Sequence, residues 1–187
     1  KLKSNWILSV SIIAILLFSI CLFFLIDLEE MKNSRMNYKV SFYVFSFFAI
    51  LVAPITEEIV FRGFFTNKPI LKKISIILFI PISLLVFYSN YNIFIFLLAL
   101  LVIFCNVYFY LKYKEHKKTE YLLVVTNALF FGFVHYKLSD FYSVNSTFFV
   151  LGQISFGFLL IWITKNFGLV KSIITHVTIN FSILFIT

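Results

Sequence analysis

Acidic side chains are scarce in this chain, with 8 Asp and Glu against 16 Lys and Arg in 187 residues, and charged residues of either sign make up only 13%. A soluble domain of ordinary composition carries about 25% charged residues, so the shortage argues against that class. Two cysteines, Cys21 and Cys105, both lie inside apolar runs. They offer neither a disulfide framework nor a thiolate metal site and read as small buried hydrophobes. Three prolines and five glycines leave no linker long enough to separate domains, and no internal repeat is visible. A single membrane-embedded domain over residues 1–187 is the expectation, with its motifs between 54 and 180.

Several catalytic signatures are also missing. There is no Gly-x-Ser-x-Gly, no cysteine close to a histidine and no His-Glu-x-x-His, so an acyl-enzyme nucleophile with a local signature and a zincin site are both absent. Glycine and proline interruptions at matching places in two halves, the mark of a small transporter, are not found either.

What is present is apolar: 61% hydrophobic residues, 27 of them Phe, and a mean hydropathy of +1.01. That composition fits an all-α polytopic transmembrane helical bundle. The apolar runs fall at roughly 5–26, 40–65, 74–89, 93–111, 121–137, 146–163 and 170–187, about seven spans. The first ends in Asp-Leu-Glu-Glu rather than at a small-residue cleavage site and reads as an ordinary span. The third is short and carries Pro81, which predicts a kink or a tilt. Trp6 and Trp162 suit interfacial anchoring.

The positive charge sits in short loops, as membrane topology asks and nucleic-acid binding does not. With the N-terminus inside the cell, Lys1, Lys3, Lys68, Lys72, Lys73, Lys112, Lys114, Lys117, Lys118, Lys165 and Lys171 are cytoplasmic. Only Lys32, Arg35, Lys39 and Lys137 are then outside. The bias predicts a multi-pass protein of the cell membrane with a cytoplasmic N-terminus and the lipid bilayer as its surroundings. The Phe-, Ile-, Asn- and Lys-rich composition points to a bacterial source.

Against this background, Pro54 to Phe65 reads Pro-Ile-Thr-Glu-Glu-Ile-Val-Phe-Arg-Gly-Phe-Phe. Each charge at membrane depth costs roughly 2.5 to 3.5 kcal/mol, so such groups face a protein interior or a wet cavity. Glu58 and Arg62 are four apart and share a helix face. Glu57 points about 100° away, and its four-apart neighbour is Phe61. Arg62 is therefore expected to hold Glu58, leaving Glu57 free to act as a general base.

His135 and His176 interrupt two further apolar runs, and Asn180 shares a face with His176, while His116 sits in a lysine loop and is expected to be solvated. Asn127 is a candidate cavity-lining residue. Polar groups in lipid satisfy one another most cheaply by converging. Converged, Glu57 helped by His135 activates a water, and His176 with Asn180 donates hydrogen bonds to an oxyanion. Glu57, His135 and His176 are also a three-ligand set for one divalent ion such as zinc, so metal-bound and carboxylate-activated water both remain open. Along straight spans Glu57 and His176 fall roughly 10 to 14 Å from the cytoplasmic ends and His135 about 20 Å, so convergence demands that the fifth span begin earlier, inside the lysine loop, or be tilted.

Glu57-Glu58-x-x-x-Arg62, Phe131-x-x-x-His135 and His176-x-x-x-Asn180, in that order on separate apolar runs, resemble the CPBP family of intramembrane proteases. This group comprises CAAX prenyl endopeptidases and bacteriocin-processing or self-immunity proteins. The resemblance implies water activation by Glu57 and His135, oxyanion stabilisation by His176 and Asn180, and support of the site by Glu58 and Arg62. Family members commonly have eight helices, and both metalloprotease and metal-free glutamate mechanisms are attached to them. The implied activity is hydrolysis of a peptide bond in a membrane-associated or hydrophobic peptide or small membrane protein. The alternative is a non-catalytic membrane immunity or scaffold protein that retains the polar cluster.

Overall fold

The computed structural model describes residues 42–90, 93–111, 117–135 and 144–186, and these are all-helical. The run expected at 5–26, with Trp6 and Cys21, the His116 loop and Lys137 lie outside the described residues.

The first described stretch is not the single regular span expected at 40–65. It comprises α1 (Phe42–Phe47), a π-helical segment (Phe48–Val52), α2 (Ala53–Glu57), a second π segment (Glu58–Arg62) and a 3-10 turn (Gly63–Phe65). Proline explains the first irregularity. Ala53 N–H bonds the carbonyl of Phe48, five residues back. In that register the next donor should serve Ala49, but it is Pro54, which has no N–H.

Beyond this stretch come α3 (Pro69–Asn90), α4 (Ile93–Leu111), α5 (Lys117–Phe133), α6 (Val144–Phe167) and α7 (Leu169–Ile186). The run expected at 74–89 is thus a 22-residue helix that carries Pro81 inside it. The run expected at 121–137 ends as a helix at Phe133 and puts His135 in the following turn. Between α6 and α7 only Gly168 intervenes, with a φ of 92° that favours glycine, and its N–H bonds Thr164 O at 3.0 Å.

Helices α3 to α7 pack as a chain of sequential neighbours, and the irregular stretch lies against α3 on one side and α6 and α7 on the other. Gly63 permits the contact with α3, because a Cβ there would lie 3.1 Å from Leu71 O and 3.2 Å from Ser75 Cβ. The core is aromatic. Phe61 meets Phe79 at 5.5 Å, Phe131 at 5.4 Å and Phe130 at 5.9 Å between ring centroids, and Cys105 is buried nearby as a small hydrophobe.

The outer surface is apolar as well, with Phe48, Ile77, Phe104, Leu122, Leu151 and Phe181 exposed on different elements. Thr147–Phe167 is the one helix among the described residues long and apolar enough to cross a membrane by length and composition. Phe96–Tyr108, Glu120–Phe133 and Leu169–Ile183 are shorter apolar helices. Helical hydroxyls satisfy themselves locally, as in Ser83 to Phe79 O, Thr126 to Leu122 O and Ser155 to Leu151 O.

Candidate active site

Glu57 closes α2, and Glu58 and Arg62 bound the second π segment. The turn after α5 carries His135, while α7 carries His176 and Asn180. The carboxylate of Glu57 is not without partners. Its Oε2 faces His135 Nε2 at 3.7 Å and His176 Nε2 at 3.8 Å. Three separate stretches of chain therefore meet at one oxygen, and α5 begins at Lys117, inside the lysine loop and ahead of the start expected at 121. Both separations exceed a direct hydrogen bond and are the kind that a bridging water suits.

Each imidazole is aimed by its other nitrogen. His135 Nδ1 lies 2.6 Å from Phe131 O, a carbonyl near the end of α5, and a carbonyl can only accept. Nδ1 thus carries the hydrogen, and in the neutral ring Nε2 turns its lone pair towards Glu57. His176 Nδ1 lies 3.0 Å from Glu58 Oε1 and donates to it, which fixes that ring in the same sense. One ring so touches both members of the Glu57-Glu58 pair, because its two nitrogens bridge carboxylates that diverge by only about 100°. Glu57 is 25% and His135 30% exposed at the side chain, against 5% for His176 and none for Glu58 and Arg62. Glu57 and His135 thus lie at the more exposed edge of the cluster, although Glu57 Oε2 is itself buried, and the groups beside them are inside.

The expected pairing of Glu58 with Arg62 is only partly realised. Arg62 Nε stands 3.7 Å from Glu58 Oε1, and its three nitrogens make no hydrogen bond to a described residue. Its guanidinium instead lies over the Phe131 ring at 3.9 Å. Glu58 takes its hydrogen bonds from α7, at Oε1 from His176 and at Oε2 from Ser172 Oγ at 2.5 Å. Phe131 is the common wall, its ring 4.8 Å from that of His135 and 6.0 Å from that of His176.

Asn180 does not meet Glu57 by any direct bond. Its Nδ2 donates to Ala49 O at 2.9 Å, the carbonyl that Pro54 leaves without a donor. Asn127, expected as a lining residue, is buried and donates to Phe61 O at 3.0 Å, while Ser75 donates to Val60 O at 2.5 Å. Side chains from α3, α5 and α7 so satisfy carbonyls of the irregular stretch and fix its shape. Ser172 carried no sequence signal of its own except its spacing, one turn before His176 on the same face.

Among the described residues, no group of three or more His, Cys, Asp and Glu side chains is disposed to hold a metal ion. The trio expected as ligands, Glu57, His135 and His176, meets as one acid between two bases.

The fold and the cluster together define an all-helical protein built around a carboxylate and two oriented imidazoles. Residues 39–116 match the family model described as Type II CAAX prenyl endopeptidase Rce1-like, under half of the chain. This match supports the CPBP/CAAX protease family for the chain, a membrane-embedded family of proteases. It contains Glu57, Glu58 and Arg62 and ends before His135, His176 and Asn180. No curated protein and no solved structure matches the chain significantly.

Proposed function

We propose that this chain is an intramembrane endopeptidase that hydrolyses a peptide bond of a hydrophobic or membrane-associated peptide, of the kind matured in bacteriocin or peptide-signal processing or self-immunity. The observation that carries the reading is the meeting of Glu57 Oε2 with the Nε2 atoms of His135 and His176. Apolar side chains exposed on several elements among the described residues favour lipid over water as the surrounding solvent, and the lysine distribution favours a cytoplasmic N-terminus.

A water held at Glu57 hydrogen-bonds to the lone pair of His135 Nε2 and gives its other proton to the Glu57 carboxylate. The hydroxide oxygen bonds to the scissile carbonyl carbon, whose oxygen becomes negative. His176 donates to that oxygen through Nε2 when both its nitrogens carry hydrogen, since Nδ1–H already serves Glu58. Asn180 has a second amide hydrogen beside the one on Ala49 O and adds it to the oxyanion. The carbon–nitrogen bond then breaks, and Glu57 returns its proton to the leaving amine.

The test is incubation of the purified protein, reconstituted in lipid, with a library of hydrophobic peptides and mass-spectrometric reading of the products. Cleavage lost in Glu57→Gln is expected. A folded wild-type protein that cuts none of them, together with a cellular phenotype that survives Glu57→Gln, would leave the scaffold alternative standing.

A further inference from the structure

We infer that Ser172 is a positioning residue of this site, acting on His176 through Glu58; the inference rests on the protease reading above. Ser172 lies on α7, fully buried, one turn before His176. Its hydroxyl has two acceptors in reach, Glu58 Oε2 at 2.5 Å and Leu160 O at 3.1 Å, and its single proton goes to the nearer, charged one. Both hydrogen bonds to Glu58 thus come from one face of α7, and together they hold its carboxylate against that helix.

Arg62 makes this hold necessary. Its nitrogens have no hydrogen-bond partner among the described residues, and Nε already stands 3.7 Å from Glu58 Oε1. A rotation of the carboxylate towards the guanidinium would satisfy a buried cation and a buried anion at once. Ser172 opposes that rotation. Without its hydroxyl, Glu58 turns to Arg62, His176 Nδ1 loses its acceptor, and the ring no longer aims Nε2 at Glu57.

Reconstituted wild type, Glu57→Gln, Ser172→Ala, Glu58→Gln and the Ser172→Ala/Glu58→Gln double variant are compared for kcat and KM. Folding is checked by circular dichroism, and the His176 ring is read by 15N NMR of histidine-labelled protein. Ser172→Ala is expected to fold, to lower kcat about tenfold with KM within about twofold, and to convert His176 from the Nδ1–H form to a tautomer mixture. In the Glu58→Gln background it should add less than about a twofold loss, since residues acting as a unit are not additive. Wild-type kcat in Ser172→Ala, or a loss that multiplies with that of Glu58→Gln, overturns the positioning role. If Glu57→Gln cleaves as well as wild type, the protease reading fails instead, and the NMR still decides on Ser172: an unchanged His176 tautomer overturns its role, and a mixture upholds it.

Discussion

Asn180 gives an amide hydrogen to the carbonyl oxygen of Ala49 across 2.9 Å, closing a gap that Pro54 opens in a helix 131 residues away in sequence. A residue placed by its motif in the chemistry of the site is thereby also a structural cap. The two duties are separable. Asn180→Ala leaves a half-buried carbonyl without this donor, a loss of about 1 kcal/mol. Pro54→Ala supplies an N–H in register with Ala49 O, so the stability cost of Asn180→Ala should shrink in that background while the loss of activity remains. Thermal unfolding and cleavage of the four proteins of the cycle check this, and equal stability losses in both backgrounds would contradict the capping role.

Glu57→Gln keeps the shape of the side chain and removes the base. A fall in kcat of about 10²- to 10⁴-fold is expected, with near-native helicity and stability, because the side chain is 25% exposed and its Oε2 makes no direct hydrogen bond. Progress curves against circular dichroism separate this from simple unfolding.

Arg62→Met should be the opposite case. Guanidinium and Glu58 are both fully buried, and deleting the cation strands the carboxylate, at about 3 to 5 kcal/mol. Reduced protein levels and an earlier melt in detergent are expected before any specific kinetic effect. A variant as stable as wild type would show that Ser172 and His176 alone satisfy Glu58.

At Gly63 the prediction is steric. An added Cβ would press on Leu71 O at 3.1 Å, which is backbone and cannot swing aside, so Gly63→Ala should separate α3 from the 3-10 turn and destabilise the protein by about 1 to 3 kcal/mol. Since Ser75 Oγ to Val60 O crosses the same contact, the double variant with Ser75→Ala should lose less than the sum of the two singles. Chemical denaturation of the three variants reads the coupling.

Several of these features were legible in the sequence because they are energetic anomalies: Glu57, Glu58 and Arg62 in an oil-like run, two histidines and an asparagine in others. Helix spacing alone also paired Glu58 with Arg62, which stand 3.7 Å apart as an ion pair without a hydrogen bond, but it left Glu57 alone, where two imidazoles face it. Residues that share a face on a regular helix need not bond when the helix widens into a π segment and when a neighbouring helix offers better donors. Ser172 and Ser75 were mute because a single hydroxyl on an apolar helix satisfies itself locally as often as not, as Ser83 and Ser155 do here, and Asn127, read as lining a cavity, instead donates to Phe61 O.

The sequence by itself determined the helical class, the apolar exterior and the inventory of polar groups, since these follow from composition and from what a poorly hydrated surrounding tolerates. Only the tertiary structure decided which nitrogen faces which oxygen. That choice depends on where Pro54 interrupts its helix, how closely Gly63 lets α3 approach and how α7 lies against the irregular stretch. These are contacts between residues far apart in the chain, and no local pattern encodes their distances.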